Sequence, residues 1–107
     1  MVIRRFDVLR NPSSASSKTF PYLLVVQTEF LHDLPTLVVV PLTRARAIKG
    51  PPATLLNPEF EIEGVRVVML TQQIANVPLN ALRAPVASLE SQHDAIVRAL
   101  DFLFEGI

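Results

Sequence analysis

The side chains able to do chemistry in this sequence are few and scattered. Its two histidines, His32 and His93, stand 61 positions apart, and neither has a second ligand at metal-binding spacing. His93 is followed by Asp94, but adjacent residues on a helix do not face each other, so the pair reads as surface. His32 follows Leu31 at the expected end of a strand and reads as solvated. Glu59, Glu61 and Glu63 alternate along a strand and share one face, where like charges mean solvent or an arginine partner rather than an acid–base pair. There is no GxSxG, no phosphate-binding loop and no GxGxxG, and the absence of cysteine removes thiolate and disulfide chemistry. The residue chemistry therefore predicts a binding protein, not an enzyme, with no catalytic residue, metal or cofactor.

Charge is the more informative pattern. The 107 residues carry ten basic and ten acidic side chains, unevenly divided. Residues 1–53 hold seven Lys/Arg against three Asp/Glu (net +4), and residues 54–107 hold three against seven (net −4). Arg44, Arg46 and Lys49 sit close together in the basic half. Such a segment is either solvated surface or the complement of an acidic partner, since opposite charge steers association. One short basic loop without interleaved aromatics makes a poor track for nucleic acid.

The elements that must carry these residues are short. One domain spanning 1–107 is expected, half of it apolar, with neither a signal-peptide core nor a membrane-spanning run. A cytoplasmic protein is the default. VIRRFDVL (2–9) reads as a strand with Val2, Arg4, Phe6 and Val8 on one face. RNPSSASSKT (10–19) reads as a flexible loop. YLLVVQT (22–28) and TLVVVPL (36–42) are apolar strands, the second buried on both faces and ending, bulging or lying at an edge at Pro41. Residues 43–58 are irregular, broken by Gly50, Pro51, Pro52 and Pro58. FEIEGVRVVML reads as a hairpin turning at Glu63-Gly64, and Pro78 breaks the segment 71–82.

The last element is a helix. Ser88 or Ser91 is its N-cap, Glu90 and Asp94 lie in its opening turns, and Gly106 ends it. Ile96, Leu100, Leu103 and Phe104 follow the spacing of one apolar face. Leu103 reads as core and Phe104 as core or interface. The predicted fold class is mainly β with one C-terminal helix.

Three stretches together resemble a known family. VVVPLTRAR (38–46) after the YLLVVQ strand, then IANVPLNAL (74–82), then a helix ending in Gly-Ile, are similar to CcdB, the toxin of a plasmid toxin–antitoxin pair. The resemblance covers nearly the whole chain, with 12–17 as a short insertion. It implies an SH3-like barrel of the CcdB/MazF type and a homodimer. It further implies binding and poisoning of DNA gyrase through the gyrase A subunit, and neutralisation by a disordered CcdA-like antitoxin. DNA would be met only indirectly, through the antitoxin in transcriptional repression.

Carried over residue by residue, the resemblance assigns gyrase binding to Phe30, Leu31, Asp101, Phe104, Glu105, Gly106 and Ile107. It assigns antitoxin binding to the loops 10–19 and 43–50, with Arg10, Arg44, Arg46 and Lys49. The sequence departs from the pattern at Glu105, where the best-known members carry Trp. A carboxylate in a desolvated apolar pocket costs several kcal/mol unless paired. Either the target offers a cation there, or gyrase poisoning has weakened or moved. Two alternatives follow: a MazF-like endoribonuclease using Thr43, Arg44 and Arg46, or a non-toxic member that keeps antitoxin binding and co-repression.

Overall fold

The computed structural model describes residues 2–31, 33–50 and 55–106. His32, Pro51, Pro52 and Ile107, on which expectations fall, lie outside the described residues. Seven antiparallel strands form one sheet: β1 (Asp7–Arg10), β2 (Tyr22–Val25), β3 (Thr36–Arg44), β4 (Glu59–Ile62), β5 (Val65–Met69), β6 (Ala75–Pro78) and β7 (Ala87–Ser88). A helix, α1 (His93–Glu105), follows a 3₁₀ turn at Glu90–Gln92. The strand order is β4-β5-β3-β2-β1-β7, with β6 also paired to β3. The sheet curls into a nearly closed SH3-like barrel, the fold class expected.

The apolar strands are continuous because each face of the sheet has its own core. Val8, Tyr22, Leu24, Val40 and Leu42 point into the larger core, which α1 closes with Ile96 and Ala99. Their neighbours Leu9, Leu23, Val25 and Val39 point into a smaller one with Leu82. Strand alternation thus sends successive side chains to opposite, equally dry sides.

Pro41 does not end β3. The strand runs through it, pairing 36–39 with β6 and 42–44 with β5 on the edge away from β2. Pro41 falls between the two ladders, where no N–H of its own is needed, and its carbonyl accepts the Leu70 N–H at 3.0 Å. The Glu63-Gly64 turn forms as expected, with φ of 51° and 79° joining the paired residues Ile62 and Val65.

Four expectations need correction. The first strand covers Asp7–Arg10 rather than 2–9, because Phe6 takes a left-handed backbone (φ 71°). Its N–H donates to Val25 O at 2.7 Å and its carbonyl accepts from Leu89 N–H at 2.8 Å, while its ring is buried. Those bonds and the burial offset a conformation costing about 1–3 kcal/mol. Val2 and Arg4 are consequently exposed rather than on a core face.

The serine segment, second, is a hydrogen-bonded series of turns. Asn11 Nδ2 donates to Ser16 Oγ (3.0 Å) and Phe20 O (2.9 Å), and Ser17 N–H donates to Ser13 O (2.9 Å). Third, Phe104 is not core: it is 69% exposed. The larger core reaches no farther along α1 than Leu100, so the last turn overhangs it and Leu103 is half-buried. Fourth, neither Ser88 nor Ser91 is the N-cap of α1: Ser88 Oγ accepts from Glu90 N–H (3.2 Å) at the end of β7, the 3₁₀ turn starts after Leu89, and α1 starts after Gln92 with no side-chain cap. Ile96→Ala should destabilise the fold by about 2–5 kcal/mol. Phe104→Ala should cost no more than about 0.5 kcal/mol in the same urea unfolding experiment.

Candidate functional site

Two surfaces carry the predicted residues. The first is a pair of exposed segments on separate elements, the end of α1 and the turn after β2. Asp101, Phe104 and Glu105 are exposed on the final turns of α1. Gly106 (φ 75°) ends the helix, donating its N–H to Phe102 O at 3.0 Å. Phe30 and Leu31 lie in a 3₁₀ turn (Glu29–Leu31) between β2 and β3, with Phe30 88% exposed. Gln27 ties this turn to the sheet, donating to Leu31 O (3.3 Å) and accepting from Val38 N–H (3.1 Å). Beside it, Val2, Ile3, Leu31, Leu34, Leu37 and Leu79 line a groove of about 440 Å³. Among the described residues neither Phe30 nor Phe104 stacks on another ring; the aromatic contact is Phe6 against His93 at 5.4 Å. Nothing in the core requires either exposed phenylalanine.

The second surface is basic and is drawn together by the barrel. The two loops expected to meet an acidic partner are adjacent, for Thr43 Oγ1 donates to Thr19 O (2.8 Å) and Arg44 Nη1 to Lys18 O (3.4 Å). Arg44, Arg46 and Arg66 line a hollow of about 290 Å³ that also includes Gly64 and Val65. Arg10 reaches the same β4–β5 turn from the other side, donating through Nη2 to both Glu63 oxygens at 3.1 and 3.2 Å. Lys49 is exposed but lies outside these hollows. The hydroxyl of Thr43, which a phosphate-gripping site would need, is buried and committed to Thr19.

Tyr22 is the participant the sequence did not single out; Glu63, expected to meet solvent or an arginine, meets both Tyr22 and Arg10. The Tyr22 hydroxyl donates to Glu63 Oε1 at 2.8 Å, and the Arg10 guanidinium sits 5.9 Å from the Tyr22 ring centroid. Burial, then the hydrogen bond and negative charge of Glu63, hold the Tyr22 phenol above its ordinary value, against the opposing pull of Arg10. The Arg10–Glu63 pair is exposed, so its strength is about 0.2–1 kcal/mol. Glu59 pairs with Arg66 at 2.8 Å, as expected of carboxylates on that face. Glu63 spans 53 positions to reach Arg10, and only the strand register reveals that meeting.

Among the described residues no group of three or more histidines, aspartates or glutamates is placed to hold a metal. No helix among them is long and apolar enough to cross a membrane. The sequence profile described as CcdB protein matches residues 5–106. The chain belongs to the CcdB family. Membership points to the toxin half of a toxin–antitoxin pair. No curated protein matches the chain. As a CcdB-family chain it has an intact barrel and an exposed helix end, yet carries Glu105 where the resemblance leads one to expect Trp.

Tyr22 is the sole tyrosine and there is no tryptophan, so the phenolate absorbance of this CcdB-family chain reports that residue alone. The wild-type phenol should titrate above the ordinary value of about 10. Glu63→Gln should lower its pKa, since both Glu63 contributions raise it. A phenol pKa raised by folding stabilises the native state below about pH 10 and loses that contribution as pH rises through the folded value. Unfolding free energy should therefore fall as pH rises from about 10 through the folded phenol's value, and by less in Glu63→Gln.

Proposed function

We propose that this chain is a toxin that binds the A subunit of DNA gyrase through the end of α1 together with the Phe30–Leu31 turn. The observation that carries the reading is the exposure of Phe104 and Phe30, the two most exposed phenylalanines among the described residues, which serve no core. Desolvated aromatic side chains dominate binding energy at interfaces, at about 2 kcal/mol or more each. Asp101, Glu105, Gly106 and Ile107 complete the proposed contact with gyrase. A homodimer would double the apolar surface and present two helix ends to a symmetric target.

On the basic face, Arg10, Arg44, Arg46 and Lys49 are proposed to receive a CcdA-like antitoxin. The charge imbalance between the halves of the chain and the convergence of Arg10, Arg44 and Arg46 on one turn support this reading. The complex would act on DNA through the antitoxin, in the cytoplasm.

Glu105 sets how strongly the toxin acts. It follows Phe104 at a helix C-terminus, where negative charge is unfavourable by about 0.3–1 kcal/mol, so helix stability gives no reason for an acid there. A cation on the target is then the feature that would select it.

Induction of the wild-type chain in bacteria should arrest growth and trap gyrase–DNA cleavage complexes, and Phe104→Ala should abolish both without loss of folded protein. Glu105→Trp separates the two accounts of that position. Weaker action than wild type would show that the target prefers the anion, whereas toxicity in the Trp variant alone would show that the wedge had been lost. Normal growth with no trapped complexes in every variant would overturn gyrase poisoning.

A further inference from the structure

The β4–β5 turn places an acid where backbone chemistry disfavours it. Two-residue turns with both central residues at positive φ select Asn-Gly or Asp-Gly, because those short side chains tolerate the left-handed conformation. Here the first position, at φ 51°, is Glu63. Its longer side chain reaches back over the sheet to the Tyr22 hydroxyl (2.8 Å) and to Arg10 (3.1 and 3.2 Å). A disfavoured backbone that presents one carboxylate to two donors suggests a functional rather than a local reason for the residue.

Its position supplies that reason. One basic hollow, about 290 Å³, is lined by Arg44, Arg46 and Arg66 and touches Gly64 on one side of the turn. Another, about 760 Å³, is lined by Arg10 and Arg83. Neither hollow has an acid in its lining. Glu63 links the two linings: its neighbour Gly64 belongs to the first, and its carboxylate holds Arg10 of the second. A segment that engages Arg10 therefore meets the negative charge of Glu63.

We propose that Glu63 is a specificity-determining residue of the basic face. Its carboxylate occupies Arg10 until an acidic peptide supplies a carboxylate of its own. The inference rests on the proposed partner surface and adds to it an internal competitor. Because the Arg10–Glu63 pair is exposed (side chains 61% and 39%), it is weak enough for a strongly acidic segment to displace. Sparsely charged chains would be repelled by Glu63 without recovering the exchange, which is selection by an unfavourable contact.

The test uses the full chain and an oligo-glutamate peptide as probe, with Glu63→Gln and Glu63→Asn. Asn suits the left-handed position, so the second variant keeps the turn. Both variants should bind the peptide about 2–5-fold more tightly than wild type, the factor that an exposed ion pair is able to withhold. The gain should vanish when Arg10→Gln is added, and phenylglyoxal should modify Arg10 faster in both Glu63 variants. Unchanged peptide affinity in variants whose wild type binds, with unchanged Arg10 labelling, overturns the competitor role and leaves the partner surface standing. A peptide that binds wild type and variants undetectably overturns the partner surface, and the specificity role with it, whatever the labelling shows. A gain seen with a single-stranded oligonucleotide but not with the peptide overturns the assignment to an acidic peptide.

Discussion

Three of the sheet's six strand pairings run through β3 (nine residues), which pairs with β2 along one edge and with β6 and then β5 along the other. That sharing depends on a residue that asks for no hydrogen bond at the changeover, and Pro41 is such a residue. The sheet can bend there because two partners, not one, follow the strand. The β4–β5 hairpin is carried to the end of β3 that holds Arg44, and the turn at Glu63 comes within reach of Arg10 on β1. The basic surface is thus a product of the strand register rather than of any local motif.

The same register separates the two proposed surfaces. The basic residues cluster at the β4–β5 turn, while the exposed phenylalanines lie on the β2–β3 turn and the free end of α1. A toxin held by one partner and directed at another benefits from such a division, because separate faces let affinity for each be tuned independently. The overhang of α1 beyond its core leaves Phe104 exposed at little cost to the fold, as the burial of Ile96 and Ala99 already anchors the helix.

The strong features were legible in the sequence for simple reasons. The apolar runs at 22–28 and 36–42, the Glu63-Gly64 turn and Gly106 each express a local preference that the fold respects. Phe6 was not legible, because its left-handed backbone is imposed by Val25 and Leu89, both remote in sequence. Pro41 read as an end, a bulge or an edge because a sequence cannot show that the neighbouring ladder changes partner there. Phe104 matched the helical period of Ile96 and Leu100, but periodicity says which way a side chain points and not whether core extends that far. Arg44 and Arg46 stood out by charge and Arg10 by resemblance, and the structure brings them to one turn. Glu63 was expected to meet solvent or an arginine, but its partner Tyr22 was missed, since their link spans 41 residues and depends on pairing.

Whether the helix end, rather than the basic face, meets the target is decided most directly by amide hydrogen exchange of the chain with and without purified gyrase A subunit. Binding as proposed should slow exchange at residues 29–31 and 101–106 and leave 10–19 and 43–50 as they are in the free protein. Protection confined to 10–19 and 43–50, or no protection anywhere at saturating gyrase, would contradict it.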